Sequence, residues 1–208
     1  MPIYHITPIN NLSSILNLGG LVANSRLKQE KIDYQDISYE HIQDRRGRTP
    51  VPCGAGGYLH DYVPFYFAPR SPMLYTINRG NVLNYQGGQN LVIYLVADIN
   101  TIEAEGLDFA FTDGHAAMDY TSFFTDLEDL EYEIDWDIME EKYWSNTDDD
   151  PDRKRRRQAE FLVHHFFPWH LIREIGVMNT KIQIKVREIL QKFNKQTPVE
   201  VYSEWYYS

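Results

Sequence analysis

A single mixed α+β domain is predicted by three observations. Short apolar runs rich in β-branched and aromatic residues recur at residues 3–6, 63–67, 91–97 and 161–163, the pattern of buried strands. One clean amphipathic helix follows residue 179, with Ile182, Val186, Ile189, Leu190 and Phe193 on one face. Strands and helices do not alternate regularly as a doubly wound parallel sheet requires. No internal repeat or low-complexity linker divides the 208 residues, and a hydrophobic fraction of 43% is enough for one core, so one domain over 1–208 is expected.

The elements follow in order. Residues 3–6 read as the first strand. Thr7 then offers an N-cap hydroxyl and Pro8 a pre-set first helical residue, with Ile9, Leu12 and Leu16 on one face before Gly19-Gly20 stops the helix. Residues 24–57 are polar, carry Arg45-Arg46-Gly47-Arg48, and show only a brief helical pattern at 37–42, which predicts a long functional loop. Strands at 63–67 and 91–97 flank a helix beginning at Ser71-Pro72 and a turn at Gly87-Gly88. A helix is expected over 134–144, followed by a mobile excursion through Asn146-Thr147 and three aspartates. Strands at 161–163 and 172–178, the helix capped by Asn179 or Thr180, and a final strand over 199–207 complete the chain.

The net charge is −10, yet residues 126–152 hold thirteen acids against the single base Lys142, so the remainder is slightly basic. Such a run reads first as a solvated face, and it leaves a nucleic-acid partner open. Arg45, Arg46, Arg48 and the run Lys154-Arg155-Arg156-Arg157 are the bases available for phosphates. The longest apolar run, 91–97, is too short to span a bilayer, and the N-terminus lacks a signal-peptide pattern, so a soluble cytoplasmic protein without membrane contact is expected. Cys53 is the sole cysteine, which excludes an internal disulfide and a cysteine zinc module.

The familiar nucleotide loops are missing: Gly54-Ala55-Gly56-Gly57 lacks the Walker lysine and the dinucleotide spacing, and reads as a turn. His164-His165 on a strand would face opposite ways and have no third ligand at a telling spacing, so no metal site is expected. Cys53 has no base near it in sequence and is not read as a nucleophile. Glu160, entering Phe161-Leu162-Val163, is costly to bury without a partner or a task. Alone it reads equally well as a solvent-facing strand end, His5 as a core residue and Tyr66 as packing; their combination points to function.

At these residues the chain resembles DarT, a family of bacterial toxins that ADP-ribosylate DNA using NAD and are restrained by the macrodomain antitoxin DarG. The resemblance rests on Ile3-Tyr4-His5-Ile6-Thr7, on His41 through Arg46, on Gly56-Gly57 through Leu59-His60-Asp61-Tyr62-Val63-Pro64-Phe65-Tyr66-Phe67 to Tyr75, on Tyr85 through Gln89, on Phe111-Thr112-Asp113, and on Arg157-Gln158-Ala159-Glu160-Phe161-Leu162-Val163. It implies an ADP-ribosyltransferase fold, with mixed and antiparallel sheets forming an NAD cleft flanked by helices. Residues 21–50 would cover the NAD, and residues 113–158 would form the substrate-loop region before the catalytic glutamate.

By the same resemblance, Glu160 and Arg46 are the catalytic pair, and His5, Thr7, Arg46 and Tyr66 hold NAD. His5 and Thr7 would take the nicotinamide-side ribose and amide, Tyr66 would stack on the nicotinamide, and Arg46 would contact the phosphates. Arg45, Arg48, Arg70, Met73, Arg155 and Gln158 are expected at the substrate. The implied activity is NAD-dependent mono-ADP-ribosylation of bases, thymine first, in single-stranded DNA. The alternatives are transfer to protein or RNA, hydrolysis of NAD, and a catalytically silent binding module. Exposed aromatics such as Tyr143 and Trp144 are candidates for stacking on bases.

Overall fold

The computed structural model describes residues 1–208. Its strands are β1 (Pro2–Pro8), β2 (Gly20–Val22), β3 (Tyr62–Tyr66), β4 (Val92–Asp98), β5 (Phe109–His115), β6 (Phe123–Phe124), β7 (Ala159–His164), β8 (Phe166–Pro168), β9 (Glu174–Val177) and β10 (Val199–Val201). Eight of them form one sheet in the order β10-β9-β4-β1-β3-β7-β5-β6, antiparallel throughout except for the parallel β9–β10 pair, while β2 and β8 form a separate two-stranded ribbon. β4 is buried from Val92 to Ala97 because β1 and β9 pair with both its edges and helices cover its faces, which accounts for its unbroken apolar sequence.

The helices are α1 (Leu12–Asn17), α2 (Asn24–Gln29), α3 (Glu40–Arg46), α4 (Pro72–Asn78), α5 (Ile99–Ala104), α6 (Leu130–Glu133), α7 (Trp136–Glu140), α8 (Arg153–Arg156) and α9 (Thr180–Lys192). The expected caps of two are present: Ser71 Oγ accepts from Leu74 N–H ahead of Pro72, and Asn179 Oδ1 accepts from Ile182 N–H. On α9, Ile182, Val186 and Leu190 are buried, one turn apart.

A discontinuity in the sheet matters most for the site. β1 pairs with β4 along seven positions but with β3 at one register position only, Tyr4 opposite Tyr66. The two halves of the sheet therefore part between β1 and β3. Pro64 fits at the middle of β3 for the same reason. Its nitrogen and carbonyl point to the side that β1 has left, so no ladder bond is lost, and His5 Nδ1–H donates to the carbonyl at 2.8 Å.

Several local expectations need correction. Thr7 and Pro8 belong to β1, the turn after them has no side-chain cap, and Thr7 Oγ1 instead accepts from Asn11 Nδ2. Residues 24–57 are not merely a loop, since they contain α2, and the helical pattern expected at 37–42 forms later, as α3. The helix expected over 134–144 is only α7, because Glu141 leaves helical geometry and Trp144 instead packs inward, its indole N–H donating to Tyr207 Oη. The final strand stops at Val201; Tyr206 and Tyr207 turn into the core, where Tyr207 N–H donates to Gln89 Oε1. His165 takes a left-handed backbone (φ 60°), so its ring lies 3.6 Å from that of His164 rather than across the strand from it. β5, an interior strand, was not expected at all.

Candidate active site

The opening between the halves of the sheet leads into a cleft of about 550 Å³, within the range of small-molecule sites. Its floor is Glu160, only 4% exposed although it carries a carboxylate. Glu160 lies opposite Tyr66 in the β3–β7 register, so the two side chains share a face. A shift of register in β5 between Phe111 and His115 frees this point of the sheet from regular pairing. Thr112 Oγ1 accepts from Glu160 N–H at 3.0 Å, and Ala116 N–H, beyond the irregularity, donates to Oε1 at 3.2 Å.

The carboxylate is matched by Arg46 from the last turn of α3. Arg46 Nη1 donates to Oε2 at 2.8 Å and to Oε1 at 3.0 Å, with both side chains largely withdrawn from water. Arg46 Nη2 is buried without a partner, a donor left over for an anionic ligand. α3 is held in place by His60 Nε2 with Gln43 Oε1 at 2.8 Å, and by Gln43 Nε2 donating to Ser38 Oγ at 2.7 Å. The segment before α3 is fastened by Asn11, whose amide exchanges hydrogen bonds with the Gln35 backbone.

Two histidines of the cleft, His5 and His115, favour their neutral forms. Burial pushes His5 down to about 4 despite its bond to the Pro64 carbonyl, which leaves Nε2 as an acceptor. Burial also lowers His115, with Glu160 opposing that shift, and Ala117 N–H donates to its Nδ1. Burial first, and then the Glu160 charge, raise the Tyr66 phenol, so it is neutral and its ring offers a flat wall.

His5, Thr7, Arg46, Tyr66, Met73, Arg155, Gln158 and Glu160 thus all line one cleft. Arg45 does not line the cleft itself; it pairs with Asp119 at 2.8 Å and its Nη1 lies 4.0 Å from the sulfur of Met118, which does. Two other expected substrate residues lie elsewhere. Arg70 donates to the Glu204 and Tyr206 carbonyls and lies over the Tyr207 ring, because the inward-turned C-terminal residues need donors. Arg48 is exposed, does not line the cleft, and its Nε donates to the Asp44 carbonyl. Arg157, expected among the phosphate-facing bases, is buried, with its guanidinium donating to the carbonyls of Pro69, Ile138 and Met139. Trp144 is buried rather than exposed; Tyr143 is exposed.

Asn11, His60, His115, Met118 and Tyr120 also line the cleft and were not singled out as site residues. His115 and Tyr120 were hidden by the unread strand β5, although Phe111-Thr112-Asp113 marks its centre. Asn11 looked like part of a helix face. No cluster of three or more His, Cys, Asp or Glu residues is arranged to hold a metal, and no helix is long and apolar enough to cross a membrane.

A cleft between diverging strands, floored by a buried glutamate, is the arrangement of an ADP-ribosyltransferase. The family model described as "ssDNA thymidine ADP-ribosyltransferase, DarT" matches residues 4–207, and the chain belongs to that family. It is 44% identical over 208 residues to a DNA ADP-ribosyl transferase of Thermus sp. (strain 2.9), covering 99% of this chain and 96% of the relative. The structure of Thermus sp. 2.9 DarT in complex with ADP-ribosylated ssDNA superposes with a TM-score of 0.93 at 43% identity, covering 99% of this chain and 96% of that one. The same protein in complex with NAD+ gives 0.89 at 41% identity, covering 99% and 97%. A Thermosipho africanus DNA ADP-ribosyl transferase-DNA ADP-ribosyl glycohydrolase fusion protein is 26% identical over 197 residues, 95% of this chain and 47% of the fusion.

Proposed function

We propose that the cleft binds NAD as co-substrate and transfers its ADP-ribose to thymine bases of single-stranded DNA, with Glu160 at the reacting centre. The observation that carries this reading is the buried Glu160–Arg46 pair at the floor of the cleft. As the bond from nicotinamide to ribose breaks, nicotinamide leaves with the bonding electrons and positive charge builds on the sugar. An ionised carboxylate beside the sugar stabilises that charge where water is excluded. The thymine ring nitrogen then forms the new bond to the sugar and must lose its proton, for which Glu160 is the acceptor, assisted by Arg46.

The remaining roles follow from the donors and acceptors at hand. His5 Nε2 and Thr7 receive the nicotinamide-side ribose and amide, and the neutral Tyr66 ring stacks on nicotinamide. Arg46 Nη2 is the free donor for phosphate, so one guanidinium serves both the cofactor and Glu160. Met73, Arg155 and Gln158 face the acceptor, with Arg45 beside Met118. Residues 21–50 cover the NAD and residues 113–158 present the DNA, within one domain over 1–208. A toxin of this kind would work in the cytoplasm, on DNA. The natural fusion of a relative to a DNA ADP-ribosyl glycohydrolase supports a macrodomain antitoxin of the DarG kind as its partner.

Incubation with labelled NAD and separate DNA, RNA and protein acceptors tests the reading. Label on single-stranded DNA at thymine is expected. Label on protein or RNA alone, or free ADP-ribose alone, would replace it with one of the alternatives.

A further inference from the structure

The turn between β5 and β6 carries a tyrosine that folding does not explain. Tyr120 is 63% exposed and lines the cleft together with His115, Met118 and Glu160. Its backbone is fixed: Met118 N–H and Thr121 Oγ1 both donate to the His115 carbonyl, Thr121 N–H donates to the Met118 carbonyl, and Ser122 N–H donates to Asp113 Oδ1. An aromatic ring held in water at the mouth of a cleft, on a turn closed by hydrogen bonds, is a surface prepared for a partner.

The ring also has a built backing. The Arg155 guanidinium lies over one face, 5.3 Å from the ring centroid. Arg155 is fixed in turn by Asp113 at 3.0 Å and Asp152 at 2.9 Å. Gly114 makes room for it, since a Cβ there would fall 2.3 Å from Nη1. With one face occupied and the ring still mostly exposed, the other face is open. The exposed Lys154, next in sequence to Arg155, also lines this cleft. An open aromatic face at the mouth of a cleft that also carries an ammonium suits a nucleotide, whose base can stack on the ring.

We propose that Tyr120, backed by Arg155, is a stacking platform for a nucleobase flanking the one that is modified, and so a specificity-determining residue of the enzyme. This rests on the reading of single-stranded DNA as acceptor. Stacking tolerates any base, so the platform selects for an unpaired base at that position rather than for its identity. A paired neighbour is already stacked in its own helix and is unavailable to the ring.

The test uses the full chain and oligonucleotides carrying one acceptor thymine, with a single abasic residue substituted in turn at each of the two positions on either side. In the wild type, kcat/KM for the oligonucleotide should fall about 5- to 150-fold at one flanking position, the equivalent of the ~1–3 kcal/mol that one stacked base contributes. Tyr120→Ala should lose a similar factor on the intact oligonucleotide and show no further fall at that position, whereas Tyr120→Phe and Tyr120→Trp should keep the position-specific fall. An abasic profile in Tyr120→Ala identical to that of the wild type would overturn the platform. Absence of transfer from the wild type to every oligonucleotide would overturn the DNA reading itself, and the platform with it.

Discussion

Replacing Arg46 with methionine keeps most of the side-chain volume and removes the charge opposite Glu160. The consequence follows from burial. Glu160 would retain its carboxylate at 4% exposure with Ala116 N–H, at 3.2 Å, as its remaining donor to an oxygen. Removing one partner of a buried pair leaves an uncompensated charge and costs about 3–5 kcal/mol. At roughly 2–4 °C per kcal/mol for a chain of this size, Arg46→Met should lower Tm by about 6–20 °C. Adding Glu160→Gln removes the stranded charge and should recover at least half of the loss, so the double variant is more stable than Arg46→Met. Urea unfolding of the wild type, the two single variants and the double variant gives the four corners of the cycle. A loss below about 1 kcal/mol in Arg46→Met, or no recovery in the double variant, would refute the pairing as a source of stability.

Glu160→Gln should bind NAD within about threefold of the wild type while transfer falls by roughly 10³-fold, because the carboxylate acts mainly in the transition state; NAD affinity falling in step with activity, by titration, would count against that role. His5 holds its ring neutral down to about 4, whereas an unfolded histidine protonates near 6.5. The unfolded chain therefore binds the extra proton first, so stability falls as pH drops from 6.5 to 4, by at most about 3 kcal/mol, and urea midpoints of His5→Gln should fall less over that window. Transfer should nearly disappear when a complementary strand is annealed, since the thymine ring nitrogen is then paired; equal labelling of strand and duplex would refute this. With Lys154 the one cleft-lining cation that has no carboxylate partner, a fourfold rise in salt should weaken single-strand binding only about threefold, and a loss of several hundredfold would mean that more phosphates are held.

The strands legible in the sequence are those whose composition is set by burial on both faces. β4 is apolar from Val92 to Ala97 because sheet and helices enclose it, and β7 reads as a strand despite Glu160 because Phe161, Leu162 and Val163 are all fully buried. β5 escaped because its apolar residues Phe109-Ala110-Phe111 give way to Thr112-Asp113-Gly114-His115, and that polar half does the work of the site: Thr112 holds the Glu160 backbone, Asp113 and Gly114 seat Arg155, and His115 faces the cleft. Local propensity is weakest where the chain is committed to ligands rather than to packing. His5, Tyr66 and Glu160 were found through resemblance; spacing alone could not bring them together, because their proximity depends on the order β1-β3-β7 of strands far apart in the chain.

Arginines were harder to read than strands, because a guanidinium has the same sequence signature whether it meets a phosphate, a carboxylate or a carbonyl. The run at 154–157 reads as a phosphate site, yet Arg155 holds Asp113 and Asp152, Arg156 holds Asp135 and Asp150, and Arg157 is spent on three buried carbonyls. The acidic stretch and the basic run are therefore one structure, in which the bases tie residues 135–152 to the edge of the cleft. This resolves the conflict between a net charge of −10 and a polyanionic acceptor. Within this frame the acids hold arginines in fixed positions around the cleft, and Arg155 shows the result: neutralised by two carboxylates, it serves as the rigid back of Tyr120. An enzyme that recognises an unpaired strand through stacking surfaces and a reactive pocket needs few free cations.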